Sequence, residues 1–153
     1  MRIEKFLKKA GVPFEKHKHA KTFTAQELAH EEHVTGHAVA KSVVVQAGEE
    51  VVLCVLPASC RVDLNKLAGQ LGVDKCSLVD EGKIEELFPD VKVGAEPPFG
   101  SPYGLETVVD RRLADCRSIT FSAGDYKKSI QMAYADYARV AEPKVLDFAM
   151  SSN

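Results

Sequence analysis

Lys41 and the stretch 94–104 hold the most specific positions among the residues of this chain that could do chemistry. Lys41 stands between a short helix-like segment and Ser42-Val-Val-Val-Gln46, the start of the most apolar strand-like region, so its stem is expected to be buried and its ammonium confined. In residues 94–104 the glycines let backbone amides approach a ligand closely, while the prolines fix the path of the chain. A buried-stem lysine facing a rigid, amide-rich loop makes an anion or carbonyl site. Taken singly, each feature also has a structural reading, a snorkelling lysine and a rigid connector. The five histidines, His17, His19, His30, His33 and His37, fall within 21 residues and raise a metal hypothesis. Their spacing argues against it. His30 and His33 can share a helix face, but His37 lies beyond Gly36, there is no HExxH or His/Cys pairing, and the cysteines are distant. Solvated or capping histidines are the expectation, with no metal. No GxSxG, Walker loop or GxGxxG occurs, which weighs against serine hydrolases, nucleotidases and dinucleotide-dependent enzymes, and no cofactor is expected.

The elements that must position these residues are legible from periodicity. Ile3, Phe6, Leu7 and Ala10 follow helical spacing with lysines between them, and Gly11 stops the helix. Residues 12–17 read as a short edge strand with Pro13 near its start. Thr24 and Glu27 form a capping-box pattern for a helix over about 25–33. Thr35-Gly36 then caps a second short helix ending near Lys41. The continuous β-branched runs 42–46 and 51–56, joined by a turn at Gly48, predict strands buried on both faces in the middle of a sheet. A helix over 64–71 ended by Gly72, a strand over 76–79 and a short helix near 84–88 follow. Residues 89–106 hold four of the seven prolines and three glycines, the composition of a functional loop. Short strands over 107–109, 118–121 and 129–132, a helix over 135–140 and a tail helix after Pro143 complete the chain. With no regular βαβ repeat, the class is α+β with a mixed sheet.

A length of 153 residues with 45% hydrophobic side chains suits one ordinary domain over 1–153, able to bury a core without staples. Cys54, Cys60, Cys76 and Cys116 show no CxxC spacing and read as reduced thiols. The longest apolar run, residues 51–58, is far short of the roughly 20 residues that span a bilayer, and the N-terminus lacks a secretory apolar core. A cytoplasmic protein without membrane contact is expected. The net charge of -2 hides an asymmetry: residues 1–21 carry seven basic and two acidic side chains, a local balance of +5, and the remainder -7. A broad duplex-binding surface is excluded, and any nucleic-acid contact should be local. The bland reading of those lysines is the wet face of the first helix.

Several short segments carry a resemblance. Thr24-Ala-Gln-Glu27-Leu-Ala, Ala38-Val-Ala-Lys41-Ser-Val, Val52-Leu-Cys-Val-Leu-Pro57, Arg61-Val-Asp63-Leu, Gly94-Ala-Glu96-Pro97-Pro98-Phe99-Gly100, Val108-Val-Asp110 and Ala123-Gly124-Asp125 occur in order. Over residues 2–141 the chain resembles the YbaK family, the prolyl-tRNA-synthetase-associated editing domains and their free-standing relatives. The resemblance implies a strongly curved, half-barrel-like mixed sheet flanked by helices that hydrolyses mischarged aminoacyl-tRNA. Lys41 matches the family's functional lysine, which anchors the 3′-terminal adenosine near its phosphate. Gly94 and Pro98 match the ends of the GxxxP loop, which holds the aminoacyl carbonyl and the attacking water. Thr24, Ser42, Pro97, Phe99, Gly100, Asp110, Gly124 and Asp125 match positions near the pocket. Glu96 departs from expectation beside an anionic substrate: either it points outward or it marks an altered amino-acid preference.

An aminoacyl ester is already activated, so positioning plus oxyanion stabilisation by loop amides and a cation suffices without a protein nucleophile. A substrate hydroxyl can assist the water, and His19 is a weak candidate base. The implied partners are the CCA end of aminoacyl-tRNA and, as an option, a synthetase. The rival readings are a non-catalytic tRNA- or synthetase-binding module and, on the histidine cluster alone, a metal-dependent hydrolase.

Overall fold

The computed structural model of the chain describes residues 2–18 and 36–151. Helix α1 (Arg2–Ala10) buries Ile3 and Leu7, and Gly11 ends it in the left-handed region at φ 72°. Strand β1 (Glu15–Lys18) follows Pro13 at the sheet edge, where a missing N–H is harmless. Strands β2 (His37–Ala47) and β3 (Glu50–Pro57) form a hairpin registered from Ala47↔Glu50 to Ala40↔Pro57, turned by Gly48 at φ 61°. This hairpin is the middle of an open mixed sheet in the order β1-β8-β7-β2-β3-β6-β9, with β5 (Cys76–Leu78) also on β2. Here β6 is Glu106–Asp110, β7 Ser118–Ser122, β8 Lys128–Ala133 and β9 Lys144–Leu146. A separate two-stranded ladder joins β4 (Cys60–Val62) to β10 (Ala149–Ser151).

One edge of β2 serves two strands. His37–Val39 pair in parallel with Ser118–Thr120 of β7, and Val45–Ala47 pair antiparallel with Cys76–Leu78 of β5. Between them, residues 40–43 have no strand on that side among the described residues. Strand alternation sends Ala40 and Val44 to the core shared with Leu53, Val55, Phe99 and Phe121, and Val45 and Ala47 to the core shared with Cys54, Leu56, Cys60 and Leu67. The second core is covered by helix α2 (Leu64–Leu71), whose first turn is capped by Asp63 accepting from Lys66 N at 3.1 Å and which ends at Gly72. Helix α3 (Glu81–Leu87) is capped in the same way by Asp80, α4 (Arg111–Ala114) by Asp110, and α5 (Tyr134–Ala141) buries Tyr134 and Tyr137.

Two expectations fail. Residues 37–41 are strand, not the end of a helix: a segment this short cannot offset helix nucleation alone, and pairing with β7 at residues 37–39 and with β3 at residues 40–41 captures it. The chain after Pro143 forms β9 and β10 instead of a helix, because β6 and β4 each leave a free edge that β9 and β10 complete. The predicted capping box and helix over 25–33, together with Thr24, His19, His30 and His33, lie outside the described residues.

Candidate functional site

The proline-rich loop is irregular but tightly held. Ala95, Glu96, Pro97, Pro98, Phe99 and Gly100 are all buried, while Gly94 is exposed with φ 92°. Two backbone bonds tie the loop to the turn after β7, Lys92 N to Gly124 O at 2.9 Å and Gly124 N to Ala95 O at 3.0 Å. The Tyr126 hydroxyl donates to Val93 O, and the Tyr137 hydroxyl to Pro98 O at 2.8 Å. The fold therefore brings together the Gly94–Pro98 and Ala123-Gly124-Asp125 segments, which are distant in sequence. At Gly100 a Cβ would sit 2.5 Å from Leu105 O and 2.7 Å from Thr107 Oγ1, so only glycine fits. The same Thr107 hydroxyl accepts from Gly100 N at 2.8 Å. A cavity of about 410 Å³ opens beside the junction, lined among others by Lys92, Gly124, Asp125 and Lys128.

Glu96 turns inward. Its side chain is buried, and Gly94 N donates to Oε2 at 2.5 Å, with the Ala95 and Glu96 amides also supporting the carboxylate. Burial nevertheless pushes its pKa above the ordinary glutamate value, outweighing those bonds. The Gly94 amide, expected to be open to a ligand, is thus already occupied by the loop's own carboxylate. Phe99 is directed into the core. Its ring is wholly buried, with Phe6 and Phe121 at 5.6 Å and Tyr137 at 5.1 Å between centroids. It anchors the loop to the core. Pro97 is buried too, its carbonyl accepting from Phe99 N at 2.9 Å.

Lys41 lies on β2 beside the edge left unpaired at residues 40–43, half-buried, and no carboxylate pairs with it among the described residues. Desolvation lowers its pKa below the usual lysine value, with the Cys60 thiol acting in the opposite direction. Alternation places Lys41 on the face of Leu56 and Cys60, and Ser42 on the face of Val55 and Phe99. The Ser42 hydroxyl is buried and has no hydrogen-bond partner among the described residues. The lysine and the loop are therefore served by opposite faces of one strand, with the unpaired edge between them.

Asp110 is fully buried and its oxygens are committed to the backbone. Oδ1 accepts from Phe148 N at 2.9 Å and Ala149 N at 2.8 Å, and Oδ2 from Arg112 N at 3.0 Å. It positions α4 and the C-terminal strand. Asp125 accepts from Lys127 N at 2.8 Å and shapes the turn that Gly124, at φ 97°, permits. His37 bridges β2 and β7, its Nδ1 2.6 Å from Ser118 Oγ and its Nε2 2.8 Å from Thr120 Oγ1. His17 lies 3.7 Å from the Glu15 carboxylate. Among the described residues no three His, Cys, Asp or Glu side chains gather as a metal site. The four cysteines are unpaired. Sequence reasoning missed Arg112, whose Nη1 reaches Cys60 Sγ at 3.1 Å. The Arg111-Arg112 doublet after a capping aspartate is the one signal that could have drawn attention to it.

Comparison with known proteins follows the same outline. The aminoacyl-tRNA editing domain family matches residues 19–140. A multifunctional Ser/Thr-tRNA deacylase, ProXp-y, of Escherichia coli strain K12 is 37% identical over 98 residues, 63% of this chain and 58% of that protein. The chain thus matches somewhat less than three fifths of that relative's length. The proline–tRNA ligase of Leuconostoc citreum strain KM20 is 27% identical over 93% of this chain but only 24% of its own length. A solved structure with the provisional description of a trans-editing enzyme for prolyl tRNA synthetase has the same fold, with a TM-score of 0.80 at 20% identity over 98% of this chain and 96% of that one. No helix among the described residues is long and apolar enough to cross a membrane.

Proposed function

The chain belongs to the aminoacyl-tRNA editing domain family, and from that premise we propose that residues 1–153 form one trans-acting deacylase that hydrolyses the ester of mischarged aminoacyl-tRNA. The observation that carries the reading is Lys41, a half-buried cation that has no carboxylate partner among the described residues and lies beside a strand edge left unpaired by them, within a match that also spans the glycine–proline loop. The deacylase relative supports hydrolysis as the reaction. In this reading the CCA end enters along the open edge and the Lys41 ammonium holds the terminal adenosine near its phosphate. The loop between Gly94 and Pro98, with the turn at Gly124, confines the aminoacyl carbonyl and the water. The ester is activated by its own chemistry, so orientation and oxyanion stabilisation supply the rate, and a vicinal ribose hydroxyl assists the water. Ser42 offers a hydroxyl on the loop side of β2 that no group among the described residues engages. The compartment is the cytoplasm, where charged tRNA is used, and a synthetase is the natural protein partner.

The decisive experiment is hydrolysis of a panel of mischarged tRNAs by the wild type and Lys41→Ala. Turnover of at least one member, with kcat/KM lower in Lys41→Ala by on the order of 100-fold, is expected. A wild type inert across the panel, or an unimpaired variant, overturns the mechanism. A second reading, a non-catalytic module that binds the CCA end or a synthetase, is favoured by one observation: Glu96 occupies the loop amide that catalysis would use. Binding of charged tRNA without turnover of any member would select it.

A further inference from the structure

Glu96 is the only carboxylate in residues 94–104, and neither the packing of the loop nor the proposed hydrolysis uses its charge. Only 7% of the residue is exposed, and its neighbours Ala95, Pro97, Pro98 and Phe99 are apolar and buried. Its Oε2 accepts from Gly94 N at 2.5 Å. Among the described residues no lysine, arginine or histidine lies within ion-pair distance of it. The nearest cation in sequence, Lys92, sets its ammonium 5.8 Å from the centre of the Tyr126 ring instead. Capping a loop amide needs no charge. A glutamine carbonyl would accept from Gly94 N as well, whereas a carboxylate taken out of water without a cation is costly. Nor do the amides exhaust it, since two carboxylate oxygens offer about four acceptor positions. The loop thus holds a fixed, buried anion whose complement is a small cation. An aminoacyl ester carries one: its α-ammonium is separated from the ester carbonyl by a single carbon, within reach of a loop that confines that carbonyl.

We propose that Glu96 reads the α-ammonium of the aminoacyl group, so that recognition requires a free amine and excludes esters whose nitrogen is already an amide, as in a growing peptide. The inference rests on the deacylase reading for the presence of the aminoacyl group. The Gly94 N–H orients the carboxylate, and the carboxylate supplies the charge complementary to the ammonium. Glu96 is in this sense a specificity residue. It takes no part in the bond that breaks and selects which esters are held.

The test is isothermal titration calorimetry of the full chain with three hydrolysis-resistant probes: 3′-deoxy-3′-(alanylamino)adenosine, its N-methyl derivative and its N-acetyl derivative. N-Methylation adds bulk and keeps the positive charge, whereas N-acetylation adds bulk and removes it. The wild type should bind the first two with similar affinity and the third about tenfold more weakly, the scale of one charge-assisted hydrogen bond. Glu96→Gln, which keeps an acceptor for Gly94 N, should bind all three alike. Glu96→Asp should keep part of the preference, and Glu85→Gln, at an exposed position of α3, all of it. The charge comparison is made within the wild type, so it stands even where a variant fails to fold. A wild type that binds no probe, binds all three alike, or loses the N-methyl and N-acetyl probes equally overturns the proposal, as does an unchanged preference in Glu96→Gln. The deacylase reading fails separately. A wild type that shows the preference but hydrolyses no mischarged tRNA keeps the Glu96 contact and sinks the enzyme. Turnover of free and N-acetylated aminoacyl-tRNA at equal kcat/KM keeps the enzyme and sinks the contact.

Discussion

Glu96 sets the terms at the scale of single residues. Its folded-state pKa is raised, so between the ordinary glutamate value and that raised value the native protein binds more protons than the unfolded chain. Stability must therefore fall as pH rises through that window. Urea midpoints measured from pH 4 upward should decline in the wild type, and Glu96→Gln should flatten this segment of the profile. An identical slope in both proteins would assign the titration elsewhere. Only part of this was legible in the sequence. The family pattern picked out Lys41, Gly94 and Pro98 as residues of interest, and a glutamate between a glycine and two prolines looked anomalous. Its inward direction depends on backbone amides that exist only once Gly94 adopts positive φ, and no propensity encodes that. Arg112 was invisible for a similar reason, since its partner Cys60 lies 52 residues away.

The loop is the element on which the candidate site depends, and Gly100 is its tightest point. Gly100→Ala must push Leu105 or Thr107 away and should cost about 1–3 kcal/mol in denaturant unfolding, with the proposed deacylation lowered alongside. Gly104→Ala, at φ 72° but with open space around its Cβ position, tests backbone strain without crowding and should cost about 1 kcal/mol. If the two variants cost the same, close packing at Gly100 is not what holds the loop. Elements specified locally were legible: the β2–β3 hairpin from its β-branched runs around Gly48, and α2 from Asp63 and Gly72 at its ends. Elements specified by a distant partner were not. The strand character of residues 37–39 comes from β7 and that of residues 40–41 from β3, and β9 and β10 exist because β6 and β4 have edges to fill.

At the scale of the molecule, the modest net charge of -2 is compatible with the proposed function, in which only the CCA end of a tRNA is held. Helix α1 turns Ile3 and Leu7 inward and leaves Lys5, Lys8 and Lys9 exposed. Charge reversal at these three lysines should raise KM for tRNA severalfold at low salt and have little effect at high salt, where the Debye length is short. A KM unchanged at low salt returns them to the role of a wet helix face. The divided edge of β2 also dictates an order of assembly. Its antiparallel hairpin with β3 closes over a two-residue turn, whereas its parallel contact with β7 joins residues such as His37 and Ser118, 81 positions apart. The entropy of closing so long a loop delays that seam until most of the chain is compact. A nascent chain on the ribosome therefore carries Lys41 long before it can present it. Lys41 and the parallel seam beside it therefore take their native places only once Ser118–Thr120 have been made and docked on His37–Val39.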